Sequence, residues 1–159
     1  MAKIIGDLLQ DDVVIEEIKA TDKIGVIREF AEILQATGRV TDAEALVRVL
    51  LERESRGSTG IGDGVAIPHG KLSFISDMVV AFGRSSRGVD FQSLDAKPVY
   101  LFFLLLTPDN KPGDYLLKAL ARISRILKNP VLREDLKRTS DRQELKRLIY
   151  EEDSKYPQK

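Results

Sequence analysis

The chain has 159 residues, with 25 lysines and arginines balanced by 25 aspartates and glutamates, one histidine and no cysteine. That length suits one domain with a sizeable core, and the charge balance gives no overall pull toward nucleic acid or anionic lipid. The missing thiols exclude a disulfide framework and thiolate metal sites, and a lone imidazole leaves only carboxylates for a metal, so no metal or cofactor is expected.

In chain order, residues 1–7 reach an acid before any long apolar run develops and do not read as a signal peptide. Residues 13–15 are a candidate strand. Thr21 is expected to cap a helix whose apolar positions Ile24, Ile27, Ala31 and Leu34 recur at steps of three and four, with Gly38 at its end. Thr41 followed by Glu44 has the pattern of a capping box and opens a second helix through Leu46, Val49, Leu50 and Arg53. The two helices read as an antiparallel pair ahead of a glycine-rich stretch over residues 57–71.

Beyond that stretch the period shortens. Residues 65–67 and 78–82 read as short strands, and residues 88–91 as another short strand or a structured turn. The apolar run over residues 99–106 does not alternate with polar side chains, so both of its faces are covered, as at the centre of a layered sheet. It is far short of the roughly twenty residues that a membrane helix needs. A cytoplasmic protein with no membrane insertion is expected.

Residues 108–113 form a surface turn, and Asp114 is placed to cap a helix with a stripe of Leu116, Leu117, Leu120, Ile123, Ile126 and Leu127. Asn129-Pro130 ends it and opens a short helix containing Leu132 and Leu136. Ser140 with Gln143 forms another capping box, before a last helix with Leu145, Leu148 and Ile149 on its apolar face. From Glu151 onward little remains to bury. The domain therefore spans residues 1–152, with a frayed tail over 153–159, and its fold class is a single helix-flanked α/β domain.

The chemistry concentrates in residues 57–71, where His69 stands among five glycines, two hydroxyl residues and Pro68. Without cysteine, covalent chemistry that needs a nucleophile titrating near neutrality falls to this imidazole. Gly57, Gly60, Gly62 and Gly64 can turn successive amides into one concavity and hold an anion without a metal. Arg53 shares the inward face of its helix with Leu46 and Val49, so its guanidinium can reach a phosphate in the loop. Ser58 and Thr59 can either stabilise the turn or contact phosphoryl oxygens.

Other chemistries fit less well. The glycines do not open a helix as a dinucleotide site requires, and Gly70-Lys71 is followed by Leu72 rather than a hydroxyl residue. A hydrolase with Ser58 as nucleophile, His69 as base and Asp63 or Asp95 as orienter lacks the nucleophile elbow. Lys137, Arg138, Arg142, Lys146 and Arg147 are interrupted by Glu134, Asp135, Asp141 and Glu144, which reads as a solvated face and not as a nucleic-acid site.

Arg53-Glu54 followed by Ser58-Thr59-Gly60-Ile61-Gly62 and by Ile67-Pro68-His69 resembles the active-site block of fructose/mannitol-type EIIA domains of the bacterial phosphotransferase system, most of all the nitrogen-regulatory branch. The resemblance extends over nearly the whole chain. It implies a mixed central β-sheet with helices on both faces, and a histidine that accepts a phosphoryl group from an HPr-like carrier. By that likeness His69 is the phosphoacceptor through Nε2, Arg53 neutralises the phosphoryl group, and the Ser58-Thr59-Gly60 turn packs beside it.

Where such domains commonly carry a second histidine, this chain has Tyr115, which cannot supply an imidazolium. Downstream, the resemblance implies a regulatory target protein; the alternatives are an EIIB domain in sugar uptake, or a non-catalytic interaction module. Ile61, Ile67, Leu72 and Phe91 are candidate contacts for a docking protein, with a core role open for each, and Leu50 reads as core.

Overall fold

The structure, a computed structural model, describes residues 5–156. Among them, six strands form one sheet: β1 (Val14–Ile15), β2 (Gly60–Gly62), β3 (Val65–Ala66), β4 (His69–Leu72), β5 (Val79–Val89) and β6 (Val99–Pro108). The helices are α1 (Ile5–Leu8), α2 (Lys23–Ala36), α3 (Ala43–Ser55), α4 (Tyr115–Ile126), α5 (Pro130–Arg138) and α6 (Arg142–Ser154). The sheet order is β1-β5-β6-β3-β2, and β4 lies along β6 beyond the end of β3. Its pairing is mixed: β5 and β2 run antiparallel to β6 and β3, whereas β3 and β4 run parallel to β6, and β1 to β5. This is the layered α/β domain expected, with helices on both faces.

The centre is β6. Val99 and residues 101–106 are fully buried, as the unbroken apolar run requires of a strand covered on both sides. Successive side chains point to opposite faces. Phe102 meets Phe30 of α2 and Phe91 edge to face at 6.5 and 5.4 Å, while Phe103 meets Phe82 of β5 at 5.1 Å on the other side. Each such side chain contributes roughly 1.5–3 kcal/mol relative to exposure.

The first helix pair forms as the periodicity predicts, and Gly38, at a φ of +80°, ends α2. The caps differ. Thr21, the Thr41/Glu44 box and the Ser140/Gln143 box are not the capping groups; in each case the following aspartate is. Asp22 accepts from the Gly25 amide at 2.8 Å, Asp42 from Ala45 at 3.1 Å and Asp141 from Glu144 at 3.1 Å. A carboxylate takes the cap from a neighbouring hydroxyl because the bond is charge-assisted and the helix dipole favours an anion there. Asn129 and Pro130 open α5 as expected, whereas Asp114 makes no capping bond and pairs with Lys118 at 3.1 Å.

Two apolar positions also turn outward: Ile24 is 56% and Leu117 64% exposed. The candidate strands at residues 78–82 and 88–91 largely merge into the long β5, with a register shift between Arg84 and Val89. The basic residues near the C-terminus are largely spent on ion pairs, Lys137 with Glu134, Arg142 with Glu16, Lys146 with Asp11 and Arg147 with Glu144 and Glu151.

The tail is not frayed where it is described. Helix α6 continues to Ser154, and Asp153 is fully buried. Its carboxylate accepts from Arg122 Nε at 2.6 Å and from the Gly6 amide at 3.0 Å, so it joins α6 to α4 and α1. Arg122 also donates to the Asp153 and Tyr156 carbonyls, at 3.0 and 2.6 Å. A polar tail with little apolar surface is thus held by ionic and main-chain hydrogen bonds that periodicity does not register. Residues 157–159 of that tail, and residues 1–4 of the segment read for a signal peptide, lie outside the described residues.

Removing Asp153 leaves the Arg122 guanidinium with its charge uncompensated. Asp153→Ala is expected to lower the free energy of unfolding in urea by about 3–5 kcal/mol, whereas Glu151→Ala on the exposed face costs under about 1 kcal/mol.

Candidate functional site

Strands β3 and β4 are two halves of one line along β6, broken at Ile67-Pro68. Ala66 pairs with Phe102 and His69 with Leu105, while the Pro68 carbonyl accepts from the Leu105 amide at 3.0 Å. Proline has no N–H to continue a ladder. The interruption lets the His69 ring fold back, and its Nδ1 lies 2.8 Å from the carbonyl oxygen of Ile67.

Helix α3 packs across β4 at Gly70. A Cβ on Gly70 would lie 2.8 Å from Val49 Cγ1, so only glycine lets the helix come this close. One helical turn after Val49 comes Arg53, and its Nε donates to His69 Nε2 at 3.1 Å while Nη1 donates to the Gly57 carbonyl at 2.9 Å. The inward face inferred from Leu46, Val49 and Arg53 does bring the guanidinium to the imidazole.

The two contacts settle the state of the ring. A carbonyl can only accept, so Nδ1 carries the hydrogen; a guanidinium can only donate, so Nε2 presents its lone pair. Burial, chiefly, and then the Arg53 charge hold His69 below the ordinary histidine value, against opposing pulls from the Ile67 carbonyl and the Glu54 carboxylate. At neutral pH the side chain is neutral, with its Nε2 lone pair held toward Arg53.

The glycine-rich stretch is a hairpin. Gly60 pairs with Ala66 and Gly62 with Val65, and Gly62, Asp63 and Gly64 turn at φ values of +98°, +58° and +76°. Glycine content hid two strands here, β2 and β4. The expected open cradle of amides is not what Thr59 and Gly60 form: the Thr59 amide donates to Glu54 Oε1 at 3.1 Å and the Gly60 amide to Ser58 Oγ at 3.0 Å. Ser58 Oγ donates in turn to the Phe91 carbonyl at 3.2 Å. Ser58 N–H has no hydrogen-bond acceptor among the described residues.

Sequence reasoning passed over Glu54 and Lys23 as site residues. Glu54 is buried, only 7% exposed, and takes the Thr59 amide, the Thr59 hydroxyl and the Lys23 ammonium, the last at 2.9 Å. The usable signal was position: an acid in the last turn of α3 and a base in the first turn of α2 each oppose the helix dipole.

Tyr115 opens α4 with Lys111 Nζ 5.7 Å from its ring centre, and makes no hydrogen bond to His69 among the described residues. Of the candidate docking residues, Ile67, Leu72 and Phe91 are buried core, as is Leu50, and Ile61 is 49% exposed. Among the described residues, no cluster of three or more metal-ligating side chains forms, and no helix is long and apolar enough to cross a membrane.

Residues 7–152 match the family described as phosphoenolpyruvate-dependent sugar phosphotransferase system, EIIA 2. A nitrogen regulatory protein of Bradyrhizobium diazoefficiens is 39% identical over 140 residues, covering 87% of this chain and 90% of that protein. The fructose-specific EIIABC component of Bacillus subtilis is 37% identical over 132 residues, 83% of this chain, but the match spans only 21% of that much longer protein. The crystal structure of nitrogen regulatory protein IIA-Ntr from Neisseria meningitidis superposes with a TM-score of 0.83 at 30% identity, covering 91% of this chain and 98% of that one.

An NMR pH titration of the ring is expected to give a midpoint below about 6.5, and Arg53→Gln should move it upward by removing a repelling charge. Between the folded midpoint and about 6.5 the unfolded chain binds more protons. Stability from the neutral ring is therefore present above that window and lost as the pH falls through it.

Proposed function

Because the chain belongs to the EIIA type 2 family of the sugar phosphotransferase system, we propose that it is a cytoplasmic phosphohistidine carrier in which His69 takes a phosphoryl group from an HPr-like protein. The observation that supports this most is the His69 ring itself, anchored at Nδ1 by Ile67 and offering its Nε2 lone pair to Arg53.

In the resting arrangement the Arg53 Nε–H covers the lone pair that must attack. A phosphoryl group carried in by the donor attracts the guanidinium, which turns from the ring to the oxygens and frees Nε2. The Nε2–P bond forms as the donor's N–P bond breaks, and the donor imidazole leaves with the electron pair. His69 keeps its Nδ1 hydrogen, and the Ile67 carbonyl dipole stabilises the positive charge that develops on the ring.

Arg53 and the Ser58 N–H then supply donors to the phosphoryl oxygens, which is the positioning and charge stabilisation that phosphoryl transfer needs. Thr59 and Gly60 act by shaping that turn. Donor and product are both phosphoramidates, so transfer runs near balance in either direction.

The fit to IIA-Ntr and the 39% identity to a nitrogen regulatory protein over most of its length support a regulatory role, in which the phosphorylation state is read by a target protein. A second reading, transfer to an EIIB partner in sugar uptake, is favoured by the 37% identity to a fructose-specific component.

Incubation with a phosphorylated HPr-type carrier is expected to add one phosphoryl group by intact mass to the native chain and none to His69→Gln. Arg53→Gln should slow acceptance by about a hundredfold, the scale of a lost oxyanion donor. Rapid onward transfer to an EIIB domain would favour the uptake reading over the regulatory one. A folded native chain that takes no label would defeat both and favour an interaction module.

A further inference from the structure

We infer that Glu54 is a positioning residue for the His69–Arg53 pair, acting through Thr59, with Lys23 balancing its charge. The inference rests on the carrier reading above and adds to it the group that sets the ring's geometry. Glu54 follows Arg53 on α3, and its carboxylate reaches the loop after the helix. Oε1 accepts from the Thr59 amide at 3.1 Å, and Oε2 accepts from the Thr59 hydroxyl. Thr59 is 3% exposed, so water scarcely competes for either donor.

From Thr59 the connection continues through main chain. The Thr59 carbonyl accepts from the Ile67 amide at 3.0 Å, and the Ile67 carbonyl is the atom that receives Nδ1–H at 2.8 Å. Both partners of the imidazole thus depend on one carboxylate. Arg53 is carried by the same helical turn as Glu54, and Ile67 is held by the residue that Glu54 clamps. A shift of Thr59 would move the Nδ1 acceptor relative to the Nε2 donor.

Stability gives no sufficient reason for the arrangement. Lys23 Nζ reaches Glu54 Oε1 at 2.9 Å with both side chains largely buried, and the Lys23 ammonium lies 5.1 Å from the centre of the Phe91 ring. Burying two ions costs about as much as their attraction returns, and apolar replacements of similar size are often neutral or stabilising. Neither helix gains from the charge it carries, since each stands at the dipole end that disfavours it. What the pair does supply is direction: two oxygens aimed at two donors of one residue, which an apolar side chain cannot provide.

Two double variants separate clamping from packing and from charge. Lys23→Met/Glu54→Gln keeps a side chain whose amide can still accept from the Thr59 N–H and donate to its hydroxyl, with no unpaired charge. Lys23→Met/Glu54→Leu fills the same space without a clamp. The first is expected to keep the native 15N pattern of a single Nδ1–H tautomer and the native acceptance rate. The second is expected to show a mixture of tautomers and a rate at saturating phosphorylated carrier lowered about tenfold or more, as misalignment of a nucleophile does, with the half-saturating carrier concentration unchanged.

A native tautomer and native rate in the leucine variant would overturn the inference. Should that variant not fold, Thr59→Val deletes the hydroxyl half of the clamp in its place. A second tautomer there supports the inference, and a native spectrum overturns it. A native chain that takes no phosphoryl group defeats the carrier reading separately, while the tautomer comparison still decides the clamp.

Discussion

The site depends on two hydrogen bonds of opposite polarity on one imidazole. Each ring nitrogen of His69 faces a partner that can play one role only, an acceptor at Nδ1 and a donor at Nε2. The protonation pattern of the ring is therefore decided by the neighbours and not by the solvent. Partial burial reinforces this by disfavouring the charged ring.

The fold can be understood as the means of bringing those two partners to the same ring. A central strand buried on both faces gives a rigid edge, and the proline break in the line along that edge puts a carbonyl two residues before the histidine within reach of it. Gly70 removes the Cβ that would hold α3 off the sheet, and the 3.6-residue turn then carries Arg53 over His69. The loop between them is a hairpin shaped by Ser58, Thr59 and Glu54, which makes it a support for His69 more than an open cup.

Much of this was readable in the chain. The apolar run of β6, the inward face of α3 and the isolation of His69 follow from periodicity and composition, and the structure agrees on each. The caps were misassigned three times for one reason: a hydroxyl residue precedes an aspartate at residues 21–22, 41–42 and 140–141, and the carboxylate is the stronger acceptor. Strands β2 and β4 were hidden because glycine and proline lower strand propensity, and pairing with β3 and β6 overrides it. Glu54 and Asp153 were hidden for a different reason, since a buried carboxylate is recognisable only through partners distant in sequence, such as Lys23 or Arg122.

The anchor of Nδ1 is a main-chain oxygen, and that has a consequence for both chemistry and mutation. With one nitrogen tied to Ile67, an electrophile that modifies the ring meets Nε2 alone, so a single regioisomer forms. No exchange of the Ile67 side chain deletes the atom responsible, so the regiochemistry tolerates substitution at that position and yields only to changes that bend the backbone.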